Sequence, residues 1–372
     1  MAIDAVELTR ALVGFDTINP PGQQASCARH LAEVLGDHGF NITLQEYGDG
    51  RVNIVATAGK RPEPPLCFTG HIDTVPLGNA PWQDDPFAGV IRDGRIYGRG
   101  TSDMKAGIAA FAAAAIAEID FIREECPVSF VITADEETGC QGAEELLKDG
   151  MVKPYSALIV AEPTSNVPFL GHKGAFWLKA STKGVAAHGS MPRSGVNAIY
   201  KAARAVGLIE ALTLRAAPHP VLGEPTVNVG RISGGVNINS VPDACEFTID
   251  LRSVPGIRHA DLQRQLEDLL GPEVALDILI DLPSVWNNAT DEWSQRVRSF
   301  VAERSGSGIT AEGATYFTDA SILQKASPTA PILILGPGEA AMAHKTDEYC
   351  IVENILDAAE IYRGIIRLSA SR

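Results

Sequence analysis

The sequence predicts an α/β protein: a mostly parallel sheet with flanking helices, interrupted by a smaller inserted α+β domain. Three observations carry that prediction. Short apolar runs bounded by turn residues alternate with helical patterns through the first half of the chain. After Lys173 the strands instead alternate apolar and polar residues, as half-buried strands do. The 372 residues also exceed the ~100–200 typical of one domain and suggest two.

The elements follow in order. Apolar residues at helical spacing place a helix from Ile3 to Gly14, and Cys27 to Gly39 reads as a second one that stops at its glycine. Asn53–Ala56, Leu66–Thr69, Val128–Thr133 and Ala157–Ala161 are short apolar runs that fit buried strands. The Ala-rich stretch Ala106–Ile119 between them reads as a helix. Strands alternating with helices point to a parallel sheet covered on both faces. Beyond Lys173 come the strand Ala175–Thr182, the helix Gly195–Leu214, the strands Thr226–Ile232 and Cys245–Leu251, the helix Ala260–Leu270 and the strand Val274–Ile280. Strand–helix–strand–strand–helix–strand is the ferredoxin-like order. From Asp291 the chain returns to helix, then to the strand Pro331–Leu335 and a final helix Val352–Leu368. The expected division is therefore 1–173 with 284–372 as one domain and 174–283 as the insert.

Composition narrows the function. Lys and Arg total 31 and Asp and Glu 46, a formal net charge of −15. Nucleic acid and anionic membrane surfaces both need clustered basic residues, so neither is an expected partner. A hydrophobic content of 45% argues against disorder. The opening MAIDAVELTR has no apolar stretch of the secretory kind, and the longest apolar run, Gly107–Ala117, falls short of the ~20 residues of a membrane helix. The six cysteines are scattered without a CxxC pair, which fits buried thiols in a reducing, cytoplasmic setting.

The chemistry gathers at strand ends. In open α/β sheets, ligands bind beyond the carboxyl ends of the strands. One strand ends in His71-Ile72-Asp73, another in Asp135-Glu136-Glu137, another in Glu162, and the last apolar strand leads through Gly336–Ala343 to His344. Asp103 follows a Gly-rich stretch. Histidine and carboxylates together suit zinc, manganese or cobalt. More acids than one ion needs suggest two ions with one acid bridging them. The pair His71-x-Asp73 also suggests an acid holding a ligating ring in one tautomer. Competing motifs are poor: there is no G-x-S-x-G, P-loop or H-E-x-x-H pattern. The G-x-G-x-x-A match at Gly336–Ala341 contains Pro337 and lacks a following βαβ unit, so it is not read as a dinucleotide site.

The segments GHIDTVP (70–76), GRGTSDMKAG (98–107), ADEETGCQGA (134–143), AEPT (161–164) and AHKTDE (343–348), in this order, resemble the M20 metallopeptidase and amidohydrolase family. The resemblance spans essentially the whole chain. It implies a zinc-exopeptidase-like catalytic domain with an inserted dimerisation or lid domain. It further implies two divalent metals, Zn or otherwise Co or Mn. His71 and Glu162 would hold the first metal, Glu137 and His344 the second, and Asp103 both. By the same resemblance Asp73 orients His71, Glu136 is the general base, and the peptide Asp103–Met104 is cis. His188, in AAHGSMP (186–192), would reach across a homodimer into the partner's site. Asn239 and Arg252 would bind the substrate carboxylate, which an arginine fork suits.

The implied reaction is amide hydrolysis. Two metals bridging a water lower its pKa from 15.7 towards about 7, and Glu136 moves the proton to the leaving amine. Desuccinylases of the family tend to carry a Gly-Gly-Thr-Ser-Asp-like stretch and an Arg-Gly-Ser; here Ala314–Ala320 and Lys173-Gly174-Ala175 stand instead. The expectation is therefore an N-acyl-amino-acid deacylase of the acetylornithine deacetylase type. A succinyl-diaminopimelate desuccinylase or an M20 dipeptidase or carboxypeptidase is the alternative, and a non-catalytic binding protein the remote one.

Overall fold

The computed structural model describes residues 3–306 and 308–370. The chain forms two compact units. The first runs through Gly171 and resumes over Trp286–Glu312 and from Thr318 onward; the second comprises His172–Val285 and Gly313–Phe317.

The first unit is built on a nine-stranded sheet. Its main path runs Asn41–Tyr47, Arg51–Ala58, Val128–Thr133, Leu66–His71, Ala157–Val160, Ile332–Ile334, Phe169–His172 and Val285–Trp286, and Glu312–Ala314 pairs with Phe169–His172 off that path. The four strands from Val128–Thr133 to Ile332–Ile334 are mutually parallel. Arg51–Ala58 pairs antiparallel with both Asn41–Tyr47 and Val128–Thr133, and Phe169–His172 pairs antiparallel with Ile332–Ile334. The parallel strands are buried along their whole length, as strands covered on both faces must be. The edge strand Asn41–Tyr47 buries only Gln45 and Tyr47's neighbours stay open, so apolar patterning gave no sign of it.

Helix Ala106–Ala117 is the centre of the core. Eleven of its twelve residues are buried, which fits a helix apolar on every side. Phe111 meets Phe68 of the sheet at 4.3 Å and Tyr362 of the last helix at 4.6 Å, in edge-on geometries that aromatic rings favour. The first helix, Ala5–Val13, starts where the Asp4 carboxylate accepts the amides of Val6 and Glu7.

The second unit holds a four-stranded antiparallel sheet ordered Thr226–Gly234, Ala244–Ser253, Gly174–Lys183, Val274–Leu282. With the helices Ala198–Glu210 and His259–Leu270 this is the ferredoxin-like arrangement. The two inner strands alternate buried and half-open residues, and Phe176, Leu178, Phe247 and Ile249 pack on both helices. The first of these helices starts later than Gly195, because Asn197 caps it by accepting the Tyr200 amide after a tight turn over Pro192–Ser194.

Candidate metal centre

Each parallel strand of the first unit delivers its charge at its carboxyl end. His71 is the last residue of Leu66–His71, and Glu136 and Glu137 follow Val128–Thr133. Glu162 follows Ala157–Val160, and the loop after Ile332–Ile334 carries His344.

Two groups of three converge. His71, Asp103 and Glu162 present ligand atoms within 4.8 Å of one another, and so do Asp103, Glu137 and His344. Asp103 belongs to both, and its two oxygens divide between them. Oδ1 lies 3.2 Å from His71 Nε2, and Oδ2 lies 3.5 Å from His344 Nε2. Glu162 Oε1 stands 3.8 Å from His71 Nε2, and Glu137 Oε2 stands 3.1 Å from His344 Nε2. Glu136 is buried beside these groups and belongs to neither. The Asp103–Met104 peptide is cis.

The glycines that looked like a nucleotide loop serve this convergence. A Cβ on Gly336 would lie 2.2 Å from the Ala161 carbonyl oxygen, and one on Gly338 would lie 2.1 Å from that of Ser102. Both loops press on the backbones next to Glu162 and Asp103, at a separation that only glycine allows.

Asp73 touches more than the His71 ring. His71 Nδ1 lies 3.0 Å from the Asp73 carbonyl and 3.5 Å from its carboxylate. The carboxylate also accepts the amides of Glu136 and Glu137, at 3.1 and 3.2 Å, and the Asn19 side-chain amide at 3.1 Å. Asp73 therefore holds His71 through its carbonyl and its carboxylate, and both glutamates through that same carboxylate.

Sequence reasoning assigned no role to Glu348, although it closes the AHKTDE segment. It is fully buried and accepts the amides of Gly100, Ser102 and Asp103, at 3.0, 2.8 and 3.1 Å. Arg99 Nη1 holds its other side at 2.7 Å. Burial, partly offset by Arg99, pushes its carboxyl up to about 7. Asp319 was also missed. It is buried, hydrogen-bonded by the Thr133 hydroxyl, and raised to about 6 by burial.

The electrostatics describe a site short of positive charge. Burial pushes Glu136 and Glu162 well above the usual carboxylate range and raises Glu137 as well. Burial acts on Asp103 in the same direction, but the hydrogen bonds from His344 and His71 outweigh it and hold this carboxyl low. Hydrogen bonds to Asp103 and Glu137 lift His344 to about 10. Glu137 Oε1 is buried with no partner. An orphaned carboxylate oxygen amid crowded acids and two imidazoles fits divalent cations, which replace the missing charge.

His188, Asn239 and Arg252 lie in the second unit. His188 pairs in register with Ser240, and the Gly189 amide donates to the Asn239 carbonyl at 2.7 Å, so these two loops lie side by side. The His188 ring is exposed, with the Ser190 hydroxyl 2.7 Å from Nδ1. Arg252 is already engaged: Asp250 takes its Nε at 2.9 Å and its Nη2 at 3.2 Å, and it stands 5.6 Å from the Trp177 ring centre.

A sequence profile described as peptidase family M20/M25/M40 matches residues 67–368. The chain belongs to the M20 family. The acetylornithine deacetylase of Pasteurella multocida is 34% identical over 352 residues, covering 90% of this chain and 89% of that one. The M20 family metallo-carboxypeptidase Sso-CP2 of Sulfolobus solfataricus superposes with a TM-score of 0.81 at 16% identity, covering both chains fully. A Bacillus subtilis protein described as a dinuclear metal binding peptidase of the M20 family gives 0.72 at 15% identity, over 97% of this chain and 96% of that one. This M20 chain is a metal-dependent hydrolase of the amidohydrolase and peptidase class. Among its described residues no helix is long and apolar enough to cross a membrane.

Proposed function

We propose that this M20 chain removes the acyl group from an N-acyl amino acid, with N-acetylornithine as its substrate. The position of Glu136 carries the reading. It is a buried carboxylate next to two ligand groups and in neither, as a proton carrier must be. The similarity to an acetylornithine deacetylase over most of both chains supports the substrate.

His71, Asp103 and Glu162 would hold one divalent metal, and Asp103, Glu137 and His344 the other; zinc suits these donors, as do cobalt and manganese. Metals held there supply a Lewis acid for the amide carbonyl and make a nearby water acidic at neutral pH. Glu136 takes the proton of the attacking water and returns it to the departing amine. Asp73 keeps Glu136 and Glu137 in place through their amides.

His188 donates to the oxyanion of the opposite protomer in a homodimer. An exposed edge strand, Thr226–Gly234, followed by fully exposed Val236 and Ile238, supports such pairing. Arg252 and Asn239 receive the substrate carboxylate, which requires Arg252 to be shared with Asp250. The six free, buried cysteines support a cytoplasmic setting.

Glu136→Gln tests the core of this reading. The variant is expected to retain two metal equivalents and to lose at least ~10²–10⁴-fold in kcat on N-acetylornithine, the usual worth of a proton carrier. Wild-type turnover would remove Glu136 from that role. A parallel panel of N-acyl amino acids and dipeptides decides between deacylase and peptidase.

A further inference from the structure

Away from the metal centre, the first unit carries a cleft of about 610 Å³. Four of its lining residues are charged: Arg298, Arg304, Glu312 and Asp357. Arg304 and Asp357 neutralise each other at 2.8 Å. Arg298 has no such partner. It is 7% exposed, its Nη2 donates to the Thr310 carbonyl at 2.7 Å, and its Nε is buried with nothing to bond. Among the described residues no carboxylate pairs with it, and burial alone lowers its pKa. Glu312, two residues past that carbonyl, is likewise in no ion pair among the described residues. An isolated buried guanidinium is costly unless an anion meets it. The cleft therefore offers one unmatched cation and one unmatched anion, with Val301, Ile309 and Ile361 as an apolar wall.

We propose that this cleft binds a zwitterionic α-amino acid with an apolar side chain, its carboxylate on Arg298 and its ammonium on Glu312. A bound ligand would also bear on both metal-carrying loops. The wall segment Thr164–Phe169 starts two residues past Glu162. The Thr164 hydroxyl accepts the Gly336 amide at 3.1 Å, and the Ser165 amide donates to the Gly338 carbonyl at 2.7 Å. Asn166 donates to the Asn354 carbonyl, and Asn354 donates to the Pro337 carbonyl at 3.2 Å. The loop so gripped ends at His344. Occupancy thus changes the setting of one ligand in each metal group; this coupling rests on the metal-centre reading, and the binding does not.

The test is titration calorimetry of the zinc-loaded protein with L-leucine. The expected result is one site, with 4-methylpentanoate (no amine) and isopentylamine (no carboxylate) each at least tenfold weaker. Arg298→Gln and Glu312→Gln are each expected to weaken leucine at least tenfold. Because Arg298 also holds Thr310, Ala302→Phe serves as a second variant. It fills the cleft from the helix side without removing a charge and is expected to abolish binding at an unchanged circular dichroism spectrum. No heat with leucine, or unchanged affinity in Ala302→Phe, overturns the proposal. Leucine binding without any hydrolysis of N-acyl amino acids would leave the cleft standing and remove the deacylase reading. A hydrolysis rate at saturating substrate that leucine does not alter overturns the coupling.

Discussion

Single side chains set the chemistry of this molecule, and the most economical is Glu348. One buried carboxylate collects three amides of one loop and an arginine, and the last amide belongs to Asp103. Glu348→Gln keeps the size of the side chain but turns one acceptor into a donor facing those amides. Supporting groups of this kind typically contribute about 10–100-fold in metal affinity. A loss of that size is expected when metal retention is measured against a competing chelator, with the fold intact. His172 gives a second prediction. It is fully buried, its Nε2 has no partner, and burial lowers its pKa from 6.5 to about 4. Its folded value lies below its unfolded one, so the unfolded chain binds the extra proton. Its contribution is intact above the unfolded value and is lost as pH falls from 6.5 towards 4. That window is worth at most about 3 kcal/mol. Denaturant melts at pH 7 and pH 4 should show the wild type losing more stability than His172→Asn by up to that amount. Equal losses would remove His172 as the cause. At this scale His71, Glu137 and Glu162 were legible as candidates because each stands at or just past the end of an apolar run, whereas Asp103 follows a Gly-rich stretch and His344 a loop. Glu348, Asn19 and Asp319 were not, because their worth lies in partners far away in the chain.

At the scale of elements, the centre depends on how closely loops can approach. Gly338 sits where a Cβ would strike the Ser102 backbone, and Ser102 adjoins Asp103. Gly338→Ala must push the His344 loop away from the Asp103 loop, and backbone against backbone cannot yield cheaply. The expected outcome is a folded protein with fewer than two metal equivalents by elemental analysis, and a rate reduced in proportion. The buried strands and the Ala-rich helix were readable because burial on all sides leaves a continuous apolar run. The strand Asn41–Tyr47 was not, since an edge strand with one buried residue has no such pattern. Nor did the sequence reveal that the outer pairings of the main sheet are antiparallel, because register and direction depend on partners rather than on composition.

For the molecule as a whole, the charge of −15 has two parts. Asp73, Asp103, Glu136, Glu137 and Glu162 crowd one buried place with Asp319 and Glu348 beside them, and the surface carries most of the rest. Two divalent ions would bring about +4 to that place. Anything that binds the folded chain and not the unfolded one stabilises it by mass action. Treatment with a chelator is therefore expected to lower Tm by several degrees, and added zinc, cobalt or manganese to restore it, as read by calorimetry. A Tm indifferent to both would show that these acids do not hold metal. The two-part organisation was visible in the sequence because the strand pattern changes character at Lys173. The use of Gly336 and Gly338 as spacers between loops was not, because it exists only once those loops meet.

The Glu348 clamp has a consequence for the order in which the protein is made. His71, Asp103, Glu137 and Glu162 all leave the ribosome well before His344 and Glu348. Until residue 348 has emerged, the Asp103 loop lacks the carboxylate that holds its amides, and one ligand group lacks its histidine. A nascent chain thus carries most of the acids of the centre without the arrangement that makes them a hydrolase. The arrangement is complete only once both His344 and Glu348 have joined the segments that precede them.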